Sequence, residues 1–292
     1  MVNIILSGGL GNQMFQYAAA KALARRLDTS LYIDTQTFLK DNTRATARRF
    51  ELDIFKINYS SRTTIKSRFL VKSYPFIQKH RGLFQKFGFL TDTYAILYQP
   101  VFETIGGNIT MFGYYQNEQY FDNIASEIRN DFSFKNPLAG KNLELSEKIR
   151  SGKSISIHVR RGDYLTNKHA ISNFVTCDID YYKKAVEYIL GKIDSPEFYV
   201  FSDDPVWVKN NVNFVNHPVS YIDWNNGSDS YIDMQLMSMC KHNIIANSSF
   251  SWWGAWLNPN TDKTVMAPDK WFQDKKKNDL LDNFYPKGWI KI

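Results

Sequence analysis

The sequence predicts an α/β protein of two domains, the second of them built on a doubly wound parallel sheet. Three observations carry this expectation: the chain opens with a strand, a glycine turn and a helix; a polar segment near the middle interrupts the pattern; and strands and helices alternate again beyond it. A length of 292 residues exceeds one average domain and falls short of three. With 43% hydrophobic and 15% aromatic residues, the chain can bury a core without disulfides or a structural metal.

Residues 2–6 form a short apolar run that reads as a buried strand. The turn Ser7-Gly8-Gly9-Leu10-Gly11 follows, then an alanine-rich helical pattern over 12–27 and a second strand over 30–34, the opening of a βαβ unit. From 52 to 110 no boundary is sharp, although basic and aromatic residues interleaved between Lys66 and Phe89 suggest helices. Residues 132–152 are polar, contain Asn136-Pro137 and Ala139-Gly140, and end in Ser151-Gly152-Lys153. Such a segment marks a domain boundary, giving domains 1–150 and 151–292. In the second domain strands are expected over 154–159, 198–202, 214–216 and 243–246, with helices over 179–193, 205–210 and 230–240.

Cys177 and Cys240 lack zinc-site spacing, so a structural metal is not expected. The first apolar run is broken by glycines and has no basic residues before it, unlike a signal peptide or an anchor. No later run approaches the roughly 18 apolar residues that cross a bilayer. A cytoplasmic location is the expectation. The net charge of +7, from 36 Lys and Arg against 29 Asp and Glu, suits a polyanionic partner without choosing among nucleic acid, anionic lipid and a nucleotide diphosphate.

Four motifs carry chemistry. In the first turn, Gly9 and Gly11 place backbone N–H groups at a helix start, where phosphate is attracted. A tight turn with no ligand is the alternative, and Met14 stands where a dinucleotide fingerprint needs its third glycine. His158-Val-Arg160-Arg161-Gly162-Asp163-Tyr164 lies at the carboxyl end of a strand, where open α/β sheets bind ligands. In that loop both guanidiniums can turn toward one anion and match phosphate oxygens bidentately. Asp163 could hold one arginine, or form an ordinary surface ion pair worth about 0–1 kcal/mol. His158 reads as a base or, preferably, as a core histidine.

Asp203 and Asp204 end another strand. Asp204 before Pro205 reads as a helix cap, while Asp203 could accept from a ribose or base. Cys177-Asp178-Ile179-Asp180 has the Asp-x-Asp form that holds a divalent ion, but reads as a helix start capped by Asp180. Asn247-Ser248-Ser249-Phe250, ahead of Trp252, Trp253 and Trp256, combines hydroxyls with a helix N-terminus. It also reads as a serine cap on a buried helix, with the tryptophans at core spacing.

Taken together, a glycine turn, an arginine pair and a serine cradle at strand ends point to a diphosphate held by cations in place of metal. With these motifs the chain resembles the bacterial α1,2-fucosyltransferases, family 11 of the glycosyltransferases, on Gly8 to Tyr17, His158 to Tyr164 and Ser248 to Trp256. The resemblance spans nearly the whole chain, with no recognisable motif between about 40 and 110. It implies a GT-B arrangement, two Rossmann-type domains facing a cleft. The first would be an acceptor-side domain and the second would bind GDP-fucose, with the last residues packing back on the first.

The resemblance also implies roles. Arg160 would bind the β-phosphate, and Arg161 would brace the loop or share that contact. Asp233 would recognise guanine, Asn247, Ser248, Ser249 and Phe250 would line the donor site, and Asn12 would approach the reacting centre. GDP-fucose is the implied donor substrate, with no cofactor and no metal. A galactose-containing glycan is the implied acceptor, free or lipid-linked, in surface-glycan or O-antigen synthesis. Transfer would invert the β-linked donor to an α1,2 product. Asp34, Glu103, Asp163 and His158 are all open as the proton acceptor.

Two other classes stand beside the enzyme: a nucleic-acid binder, weakened by an absent motif and by basic residues that read as dispersed, and a nucleotide-sugar binder without catalysis. The basic aromatic stretch suggests peripheral contact with the inner face of a membrane, or simply a solvated helix face.

Overall fold

The computed structural model of the protein describes residues 1–39, 48–212 and 216–292. Strands β1 (Val2–Ile5), β2 (Leu31–Asp34), β3 (Ser60–Ser61), β4 (Phe89–Thr91) and β5 (Ile109–Phe112) form one sheet. Their order is β3-β2-β1-β5-β4, and every pair is parallel. Parallel sheets are covered on both faces, so the central strand is largely apolar and Val2, Ile4 and Ile5 are wholly buried. Helix Leu10–Arg26 follows β1, and its small residues Ala18, Ala19, Ala22 and Ala24 let it pack closely enough to be buried on nearly all sides. Three short helices, Ile65–Lys72, Tyr74–Lys79 and Arg81–Gln85, lie beyond β3 and bury Leu70 and Ile77 against Ile5 and Phe89.

The second sheet comprises β6 (Ser154–Val159), β7 (Glu197–Ser202), β8 (Val219–Ile222), β9 (His242–Ile244), β10 (Val265–Ala267) and β11 (Ile290–Lys291). Its order is β11-β10-β9-β6-β7-β8, again all parallel. Counted from β6, this is the doubly wound order in which the winding reverses between the first strand and the fourth. The reversal therefore falls between β6 and β9. On one face of β6, Ile155, Ile157 and Val159 pack on Tyr182, Ala185 and Ile189 of helix Ile179–Leu190. By strand alternation Ser156 and His158 take the other face, toward helices Tyr231–Met239 and Ser249–Leu257. There Asn243 Nδ2 donates to Ser156 Oγ at 2.7 Å and to the Met237 carbonyl at 2.9 Å.

The chain divides into one unit of Met1–Lys135 with Asp282–Phe284, and another of Asn136–Leu281 with Tyr285–Ile292. The division thus lies at Asn136-Pro137 and not at 150. Helix Gly140–Ser151 belongs to the second unit, where it buries Leu145 and Ile149. The strand expected over 214–216 falls mostly outside the described residues. The third strand of the second sheet is β8, whose Phe198–Val219 register starts directly after Pro218, a residue with no N–H to give a central ladder. Strands β10 and β11, three and two residues long, leave no period in the sequence. No helix among the described residues is long and apolar enough to cross a membrane.

Candidate donor site at the strand ends

The loop after β6 is organised by one carboxylate. Asp203, just past β7, accepts from Arg160 Nη1 at 2.8 Å through Oδ2 and from the Arg161 amide at 2.8 Å through Oδ1. Both partners are partly exposed, so the pair adds little to stability. Its effect is to fix the direction of the Arg160 guanidinium. The loop turns at Gly162, where a Cβ would lie 2.6 Å from Asp203 Oδ2 and 3.1 Å from its Cγ. Gly162→Ala must therefore displace the group that orients Arg160. We expect GDP binding at least about tenfold weaker in calorimetry with an unchanged melting temperature.

The two arginines have different surroundings. Arg161 is drawn sideways: its Cζ lies 3.7 Å over the Trp207 ring and its Nε is 3.5 Å from Asp204 Oδ2, an ion pair without hydrogen-bond geometry. Asp204 also caps helix Pro205–Asn211, accepting from the Trp207 amide at 3.1 Å. Both contacts tie Arg161 to the segment that follows β7. Arg160 instead has its Cζ 5.8 Å from the Tyr164 ring, and Tyr164 Oη donates to the Asn247 carbonyl at 2.9 Å. That bond joins the loop after β6 to the loop after β9, the two strand ends flanking the reversal.

On the β9 side, Asn247 is wholly buried and its amide is spent on the chain itself: Nδ2 donates to the Val175 and Trp271 carbonyls, and Oδ1 faces Cys177 Sγ at 3.6 Å. It shapes the cradle from behind. Ser248 caps helix Ser249–Leu257, accepting from the Phe250 amide at 3.3 Å, and Ser249 opens the helix half-buried. Trp252, Trp253 and Trp256 are core, as their spacing predicts. The Phe250 ring lies 5.6 Å from that of His158.

His158 is 5% exposed and its Nδ1 is buried without a partner. Burial pushes its pKa down to about 4, with Asp203 opposing and Arg160 reinforcing the shift. The ring is neutral at pH 7 and too weak a proton acceptor to favour it as a base. Asp34, another open choice, is wholly buried and holds its own unit together by accepting from the Gln36 amide and from Thr63 and Ser67. Glu103 is exposed and engaged by Tyr98 Oη. The side chain of Asp163 lies outside the described residues.

Asp233, in the first turn of helix Tyr231–Met239, sits at the same edge of the sheet but has its own network. Asn225 Nδ2 donates to Asp233 Oδ1 at 2.8 Å, and Asn142 Nδ2 donates to Asn225 Oδ1 at 2.8 Å. Burial raises the Asp233 pKa to about 7 against the pull of Asn225. Asp178, and not Asp180, caps helix Ile179–Leu190, accepting from the Tyr181 amide at 2.8 Å; Asp180 is already inside the first turn, past the cap position. Among the described residues no group of three or more His, Cys, Asp or Glu could hold a metal ion.

In the first unit the glycine turn sits at the β1 carboxyl end. Gly8 has φ +78°, and a Cβ there would meet Asn12 Nδ2 at 2.5 Å, so the turn needs glycine on both counts. Gly9 caps helix Leu10–Arg26 and its carbonyl accepts from the Asn12 and Gln13 amides, while Gly11 is buried in the first turn. Asn12 Oδ1 accepts from Gln116 Nε2 at 2.7 Å. Two braces escaped the sequence reading. Gln13 Nε2 donates to the Gly8 and Arg49 carbonyls, and Gln16 Nε2 to Ser7 Oγ and the Gly113 carbonyl. Both are wholly buried glutamines on a helix, and because that burial is visible only in the fold, the sequence carried no signal for them.

Two parallel α/β units, one carrying an aspartate-held arginine pair beside a serine-capped helix at its winding reversal, have the GT-B fold of glycosyltransferases. The chain belongs to glycosyl transferase family 11, whose description matches residues 1–292. It is 39% identical to the O-antigen biosynthesis glycosyltransferase WbnK of Escherichia coli, over 98% of this chain and 99% of that one. It is 34% identical to an alpha-1,2-colitosyltransferase of the same organism, over 98% and 97%. With human galactoside alpha-(1,2)-fucosyltransferase 1 it shares 24% identity, covering 86% of this chain and 64% of that one. The fold is similar to that of NodZ alpha-1,6-fucosyltransferase soaked with GDP-fucose, with a TM-score of 0.55 at 15% identity over 88% of this chain and 92% of NodZ.

Proposed function

We propose that the protein transfers L-fucose from GDP-β-L-fucose to a galactoside hydroxyl in α1,2 linkage, with inversion, during synthesis of an O-antigen or a similar surface glycan on a lipid-linked acceptor. The arginine pair organised by Asp203 in a family 11 chain is the observation that carries it. As the glycosidic bond breaks, charge collects on the departing GDP, and preorganised cationic donors stabilise that charge. Arg160 takes the β-phosphate, Arg161 holds the loop, Ser248 and Ser249 present the helix start, and Asp233 accepts from guanine N1 and N2. The second unit is the donor domain and the first the acceptor domain.

The 34% identity with a colitosyltransferase favours a second reading in which the sugar is colitose, which is fucose without its 3-hydroxyl. Incubating the enzyme with galactosides and either GDP-fucose or GDP-colitose, then determining linkage by NMR, separates the two. GDP-fucose is expected to give an α1,2-fucosyl product, and turnover is expected to persist in excess chelator. Transfer of colitose alone would replace the donor assignment. A strict need for Mn²⁺ would move the charge stabilisation to Asp178 and Asp180.

A further inference from the structure

The basic residues of the chain are concentrated, contrary to their dispersed look. Residues 54–91 hold eight Lys or Arg and no Asp or Glu, so this one segment carries more positive charge than the net +7 of the whole chain, and the remainder is close to neutral. The same segment folds into the three short helices beyond β3. Their outward faces carry Ile65 at 88% exposure, Phe76 at 58%, Leu83 at 56% and Phe87 at 63%, with Phe69 at 45%. Phe69 and Phe76 are drawn to one side by Phe84, whose ring lies 6.5 and 5.8 Å from theirs. Arg68, Lys72, Lys79, Arg81 and Lys86 are exposed among them.

Two features of this face call for one kind of partner. Clustered cations alone would suit any polyanion and phenyl rings can stack on unpaired bases, but the exposed aliphatic side chains of Ile65 and Leu83 gain nothing from phosphate or from stacking. An anionic bilayer satisfies both, with headgroups for the cations and the acyl boundary for the rings. Lys66 is not part of the contact, because its Nζ lies over the Phe89 ring and donates to the Asn108 carbonyl. The buried side of the helices, through Leu70 and Ile77, fixes the exposed side outward.

We propose that the helices over 65–85, with the turn to Phe87, form a docking surface for a membrane containing anionic phospholipid. The surface is distinct from the donor site and independent of which sugar is transferred. Each cation close to an anionic surface strengthens partition roughly fivefold. The test is co-sedimentation of the full chain with vesicles of phosphatidylcholine alone, or of phosphatidylcholine with phosphatidylglycerol, across a salt series. Wild type is expected on the anionic vesicles only. The quadruple variant Arg68→Gln, Lys72→Gln, Lys79→Gln, Arg81→Gln is expected to lose at least about a hundredfold in partition. The triple variant Phe76→Ser, Leu83→Ser, Phe87→Ser is expected to keep low-salt binding and lose the fraction that resists salt. All substituted side chains are exposed, and melting curves check that each variant folds. Equal binding to both vesicle types, no binding to either, or partition unchanged in the quadruple variant would overturn the proposal. Salt-sensitive binding to random oligonucleotides without vesicle binding would overturn it in favour of nucleic acid.

Discussion

Arg160→Ala is expected to lower turnover by at least a hundredfold while leaving the melting temperature close to that of the wild type. Removing one preorganised donor from a site of developing negative charge typically costs about 2.7–4 kcal/mol of transition-state stabilisation. The side chain is partly exposed and its ion pair with Asp203 contributes little to folding, so loss of activity and loss of stability separate cleanly. Arg160→Lys should fail almost as badly, because an ammonium cannot both meet the Asp203 carboxylate and present a planar fork to phosphate. Arg161→Ala provides the contrast. Its guanidinium lies on Trp207, so its replacement should loosen the loop and weaken donor binding more than it slows the bound complex. Steady-state kinetics with the donor varied distinguish these patterns. Near-normal turnover in Arg160→Ala would remove the central cation from the mechanism.

The second large effect is expected at Asp233. A carboxylate accepts from the paired N1–H and N2–H donors of guanine only when ionised, and burial raises this group's pKa to about 7. The raised value means that the charged form dominates above pH 7 and is lost below it. Affinity for a GDP-sugar, whose diesterified pyrophosphate does not titrate in this range, should therefore hold above about pH 7 and fall up to about tenfold per unit below it. Asp233→Asn should abolish the dependence and reduce affinity by about a hundredfold or more, since a site built around a hydrogen-bonded group discriminates steeply when that group is lost. Calorimetric titration from about pH 5.5 to 8.5 reads both effects. A flat profile in the wild type, or an Asp233→Asn variant that still prefers GDP to ADP as strongly, would take guanine recognition away from this residue.

The chain order of chemistry was legible because it is local. The Gly8-to-Tyr17 turn and helix, the Arg160-Arg161 pair and the Ser248 cap each declare themselves by neighbouring residues and by position after an apolar run. The spacing of Trp252, Trp253 and Trp256 likewise announced a buried helix. Elements of two or three residues, such as β3, β10 and β11, were not legible, because so short a segment has no period and is held in place by its neighbours. The cap of helix Ile179–Leu190 was misplaced by two residues for a related reason. Two aspartates flank Ile179, and only the backbone path decides which one reaches the Tyr181 amide.

The sequence by itself determined two α/β halves and the residue types that gather at their strand ends, since periodicity and turn chemistry act over a few residues. Tertiary structure alone decided the strand order, which puts the winding reversal between β6 and β9, and brought Asp203 from β7 onto the arginines after β6. It also decided the charge states. The neutral His158 and the Asp233 carboxyl poised near neutrality follow from burial, which segments distant in the chain impose together and no single segment encodes.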